Sequence, residues 1–167
     1  MFPIHKGNKS GGGLTVVELL VVIAISTVAL TSFLGLVSFS FGISVLIKHT
    51  DQANALAQEI MEAVRNFRDG TDWNATGLGK LATSTDYFPQ ATSTPKIWQL
   101  IPGKETVDIF ERKVVFEDVR RDGDDNIVAS GGTFDPDTKK VTVNVSWSEK
   151  GEIRQIKLVT YLTNWKK

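Results

Sequence analysis

Cysteine is absent from this 167-residue chain, and histidine occurs only at His5 and His49. The first absence excludes disulfides, thiolate nucleophiles and cysteine-ligated metal centres. The second leaves too little imidazole for a histidine metal site or a catalytic triad. Net charge is missing too, because nineteen Lys and Arg balance nineteen Asp and Glu. Bulk electrostatics therefore give no support to a nucleic-acid partner. Proline does not occur between Leu14 and Asp69, so no pyrrolidine ring interrupts a helix there. No cluster of acids or activated nucleophile supports a reaction class, and the chain is expected to be neither an enzyme nor a cofactor carrier.

Charge is scarce in one place above all. From Leu14 to Ile47 the only charged residue is Glu18. That run exceeds the roughly 20 residues needed to span a bilayer. Fully helical, it would measure about 50 Å. A bare carboxylate at the bilayer centre costs at least about 2.5–3.5 kcal/mol, so Glu18 calls for a partner. Ser26, Thr27, Thr31, Ser32, Gly35, Ser38, Ser40 and Gly42 recur through the run, and small residues permit close helix–helix approach. Ahead of it stands MFPIHKGNKSGGG, with Lys6 and Lys9. A secretory signal would place its cleavage site after a shorter apolar core. The basic leader predicts a cytoplasmic N-terminus, with residues after about 48 outside.

Gly13-Leu14-Thr15-Val16-Val17-Glu18, followed by Leu19-Leu20-Val21-Val22, resembles the class III signal of type IV pilins and pseudopilins. Leu14 stands where that family usually has phenylalanine, and the family's mid-helix proline is absent. The resemblance implies removal of a leader, residues 1–13, by a prepilin peptidase. Cleavage would fall between Gly13 and Leu14, with N-methylation of Leu14. It also implies an assembly role for Glu18, the fifth mature residue, which would pair with the amino terminus of a neighbouring subunit. The implied partners are the peptidase, other pilin or pseudopilin subunits, an inner-membrane assembly platform and, before assembly, membrane lipid. The implied location is the inner membrane in a single pass, then a type IV pilus or a related secretion or uptake pseudopilus. Two further stretches, ALAQEIMEAVRNFRD and VTVNVSWSEKGEIRQIKLVTYL, look like minor pilins of the PilV and GspI types.

Residues 14–47 are thus expected to form the transmembrane and assembly helix. Residues 48–69 would form its amphipathic outer half, with Ala53, Leu56, Ala57, Ile60, Met61, Val64 and Phe67 on one stripe. Asp69-Gly70 reads as the stop. Residues 70–167 are expected to form the exported β domain. Within it, residues 70–105 read as a structured loop with a short strand near Lys96–Leu100. Lys113–Arg120 reads as a strand, and Phe134–Lys139 as a turn. Val141, Val143, Val145 and Trp147 alternate on one strand face, and Ile153–Leu162 returns as a hairpin. The predicted fold class is α+β: a long helix packed on a small three- or four-stranded antiparallel sheet, the lollipop of the pilin family.

Other residues are read more plainly. Asp122, Asp124 and Asn126 have calcium-loop spacing, but the glycine and terminal glutamate of an EF-hand are missing. A solvated turn accounts for them. Arg112, Lys113, Arg120, Arg121, Lys139 and Lys140 form a local basic group, read as a solvated sheet edge. Trp147 and Trp165 are read as core and rim aromatics. The alternative function is an uncleaved, membrane-tethered extracellular binding module.

Overall fold

The computed structural model describes Gly13, residues 15–93 and residues 97–166. The chain divides into two compact units between Val45 and Leu46. Helix α1 (Val16–Gly70) supplies the first unit and the opening of the second. In the first unit its apolar side chains are exposed on every face, from Val16 to Val45. A stretch here is long and apolar enough to cross a membrane. Several of its hydroxyls are satisfied within the helix. Thr27 Oγ1 donates to the Ile23 carbonyl (2.8 Å), Ser32 Oγ to that of Val28 (2.8 Å) and Ser44 Oγ to that of Ser40 (3.0 Å). Such back-bonding pairs these hydroxyls without water.

From Leu46 onward the helix becomes one-faced. Ala53, Ala57, Ile60, Met61, Val64 and Phe67 are buried, and Leu56 packs partly against the same core. That is the stripe legible in the sequence, at the i, i+3, i+4 spacing that brings side chains onto one helix face. The alanines let the backbone come close, while Ile60 and Val64 fill the space toward the sheet. Glycine ends the helix at Gly70.

Seven strands follow among the described residues: β1 (Asp86–Ala91), β2 (Trp98–Pro102), β3 (Glu105–Val107), β4 (Phe110–Arg121), β5 (Ile127–Val128), β6 (Thr133–Glu149) and β7 (Glu152–Thr163). They pair antiparallel in the order β2-β1-β4-β6-β7, with β3 and β5 each beside β4. Val114 and Phe116 of β4 and Val141, Val143, Val145 and Trp147 of β6 are buried in the core shared with α1. The alternation of these valines with exposed or half-buried partners follows from the two-residue repeat of a strand. A hydrogen bond joins helix to sheet: His49 Nδ1 lies 2.6 Å from Glu149 Oε2 at the end of β6, and Phe110 meets the imidazole edge-on.

The sheet is larger than the three or four strands expected. Residues 86–91, read as loop, form β1, and the short strand expected near Lys96–Leu100 is found as β2, its antiparallel partner at the sheet edge. The mixture of Pro89, Gln90 and Thr92 hid a pattern in which only Tyr87 and Pro89 of β1 are buried. A second difference concerns Phe134–Lys139. Instead of a turn, this segment lies within β6, and its three residues 136–138 make a bulge opposite Asp118 and Val119. Asp135 holds the bulge by accepting from Arg121 Nε (2.7 Å) and from the Asp137 N–H (2.9 Å). Pro136 is tolerated because a bulge demands no ladder donor. The β6–β7 hairpin closes through Lys150 (φ 52°) and Gly151 (φ 87°), a two-residue turn with both residues left-handed.

Candidate functional site

The start of α1 is built by Thr15 and Glu18. The Thr15 carbonyl accepts the first helical bond, from the Leu19 N–H (3.1 Å). Thr15 Oγ1 accepts from the Glu18 N–H (3.2 Å), and Glu18 Oε2 accepts from the Thr15 N–H and hydroxyl (both 3.0 Å). This is a reciprocal capping box, which satisfies two amides that a helix start otherwise leaves open. The pattern Thr15-x-x-Glu18 before an apolar run is the sequence signal for it. Glu18 is exposed and has no cationic partner among the described residues. Gly13 is exposed as well. Leu14 and the leader before Gly13 lie outside the described residues.

The Asp122 loop uses its leading carboxylate for itself. Asp122 Oδ1 accepts from the N–H groups of Asp124 (3.0 Å) and Asn126 (2.9 Å), and Oδ2 accepts from Asn126 Nδ2 (3.3 Å). The backbone hydrogen bond from Asn126 is the main cause that holds this carboxyl below its ordinary range. Among the described residues no group of three or more His, Asp or Glu is arranged to hold a metal ion.

The basic group lies on the central strands β4 and β6, not on a sheet edge. Five of its six charges are matched in place. Arg112, only 7 % exposed, reaches Glu59 (3.0 Å) and Glu105 (2.7 Å). Lys113 pairs with Asp86, Lys139 with Asp118, Lys140 with Glu117 and Arg121 with Asp135. Arg120 has no carboxylate partner among the described residues; its Nη1 donates to the Gly132 carbonyl (3.2 Å), so one cation of the group stands exposed and unneutralised.

A cleft of about 520 Å³ opens at the C-terminal end of α1, between the β6 bulge and the chain beyond β7. Trp73 and Trp165 both line it. The Trp73 indole is buried and donates to the Pro136 carbonyl (3.0 Å), so the bulge fixes it. Trp165 is 61 % exposed. No motif in the sequence brings these two residues together, because they meet only through the bulge and the helix end.

No family model matches this chain, and no curated protein or solved structure matches it either. Functional interpretation therefore rests on the residues themselves.

Proposed function

We propose that this protein is a structural subunit, of the minor class, of a type IV pilus or a related secretion or uptake pseudopilus. In this reading a prepilin peptidase cuts between Gly13 and Leu14, and Leu14 becomes the methylated amino terminus. The apolar opening of α1 then moves from bilayer to a bundle of like helices. Glu18 meets the free amine of a neighbouring subunit there, where low dielectric strengthens the attraction and penalises an unpaired charge. The observation that carries the proposal is Glu18 itself. It is the sole charge between Leu14 and Ile47, five residues past a glycine that closes a basic leader. The α+β arrangement, with an apolar helix start and a helix-backed antiparallel sheet, agrees with the reading.

The deciding experiment is intact-mass and N-terminal peptide mass spectrometry on protein from its native membrane. A chain beginning at methylated Leu14 is the expected result. A chain still beginning at Met1 in cells with active prepilin peptidase would refute it. The second reading, an uncleaved membrane-tethered binding module, is favoured by the cleft at the end of α1.

A further inference from the structure

The Trp165 cleft combines features that a structural role alone does not require. Its indole is exposed yet held. Nε1 donates to Asp69 Oδ1 (3.0 Å), and Lys166 Nζ sits 5.4 Å from the ring centroid while also contacting the Asp69 carbonyl. Asp69 is anchored in turn by Arg68 Nε (2.8 Å). Hydrogen bonds from Arg68 first, then Trp165, keep the Asp69 carboxyl below its ordinary range. Fixing a large exposed side chain loses rotamer entropy without the return of full burial. It does pre-organise a flat apolar surface for something else to cover.

Around this surface stand polar atoms with nothing to do. The Asn74 side-chain amide has no partner among the described residues, although the Asn74 N–H is tied to Asp72 Oδ1 (3.0 Å). Asp72 spends only Oδ1, on the N–H groups of Asn74 and Ala75, which leaves Oδ2 open. Asn164 donates through Nδ2 to Asp137 Oδ1 (3.0 Å), which leaves its own Oδ1 open. An open amide and two open oxygens thus line the same cleft as the indole. Arg68 and Lys166 stand among the lining with Asp72 and Asp137, and the Asp69 carboxylate bonded to Arg68 and Trp165 adds a third acid. The cleft's volume lies within the about 300–1,000 Å³ of small-molecule sites.

We propose that this cleft binds a neutral saccharide, with a pyranose ring stacked on Trp165 and its hydroxyls read by Asn74, Asn164 and Asp72. The chemistry selects that class. The C–H face of a pyranose is weakly positive and suits the negative face of an aromatic ring. Its hydroxyls both donate and accept, as the open amide and carboxylate atoms do. A phosphate or polyanion would meet two carboxylates, and its natural cations are already committed to Asp69. A purely apolar ligand would strand the open polar atoms. The site stands apart from the filament proposal and would serve a pilus subunit or a tethered module alike.

The test is titration of the full-length protein, in a phosphocholine micelle so that no sugar detergent competes. The probes are methyl α-mannoside, methyl β-glucoside, methyl β-galactoside and methyl N-acetyl-β-glucosaminide, each followed through the indole N–H resonances. At least one glycoside is expected to shift the Trp165 resonance saturably, with a Kd of about 1 mM or tighter. Trp165→Ala and Asn74→Ala should each weaken that binding about tenfold. Asn74→Ala carries the test if the tryptophan variant misfolds, because its side chain holds no other group in place. The proposal is overturned if none of the four glycosides shifts the Trp165 resonance saturably. It also fails if a folded Trp165→Ala protein binds as the parent does, or if inorganic phosphate saturates the cleft and the glycosides do not.

Discussion

Ile60 is fully buried where α1 meets the sheet, among Val64, Val143 and their neighbours. Truncation there removes methyl groups and leaves a cavity that rigid strands cannot close. Ile60→Ala should therefore lower unfolding stability by about 2–5 kcal/mol in a denaturant titration. Gly132 is restricted for a different reason. Its φ is +63°, and a Cβ built there would lie 2.3 Å from the Arg121 carbonyl oxygen. Gly132→Ala should cost about 1–3 kcal/mol, read as a lowered melting temperature, although the residue is exposed. An unchanged melting temperature would mean that the β4–β6 connection relaxes around the new methyl. Burial alone would rank these two sites in opposite classes; backbone geometry puts both among the sensitive ones.

At the scale of elements, the capping box can be tested through the helix it begins. Thr15→Val removes both the acceptor for the Glu18 N–H and the hydroxyl donor to its carboxylate. The loss should be about 1 kcal/mol, confined to the first turn, and visible as faster amide exchange there with later turns unaffected. Equal exchange in the two proteins would show that the cap contributes nothing in micelles. The same scale separates what the sequence reveals from what it conceals. The outer stripe of α1 and the Val141–Trp147 alternation were legible because each obeys one period and buries one face. Of the β1–β2 hairpin the second strand was legible, near Lys96–Leu100, but β1 was not, since only Tyr87 and Pro89 of its six residues are buried and so short an alternation does not stand out. Asp135-Pro136-Asp137 carries strong turn chemistry, yet a bulge satisfies the same geometry without reversing the chain. At the candidate sites, Glu18 was evident from its isolation, whereas the Trp165 cleft depends on residues nearly a hundred positions apart.

For the whole molecule, the division at Val45 and Leu46 has a direct test. A chain starting at Leu46 keeps every core residue of the second unit. It should stay in solution without detergent and melt in one cooperative transition by circular dichroism. A broad, non-cooperative melt would show that the apolar start of α1 is needed for folding. Acid should act on the same unit through Glu149. The hydrogen bond from His49 is the main cause that lowers this carboxyl below its ordinary value of 4.5, against an opposing effect of burial. A carboxyl with a lowered folded pKa stabilises above its unfolded pKa, and that contribution disappears as pH falls through the folded value. The difference in melting temperature between the parent and Glu149→Gln should thus be present near neutrality and fade in acid below 4.5. A difference that stays constant from about pH 6 to about pH 3 would assign the effect to packing instead.

The Thr15–Glu18 box occupies one carboxylate oxygen, Oε2, and leaves Oε1 without a partner among the described residues. Any amine that captures Glu18 Oε2 competes with two bonds that already end there, from the Thr15 N–H and hydroxyl. Capture at Oε2 would exchange one partner for another and release the Thr15 N–H, loosening the first turn. Capture at Oε1 would add a partner and leave that turn closed, so the oxygen chosen decides whether binding and opening are one event.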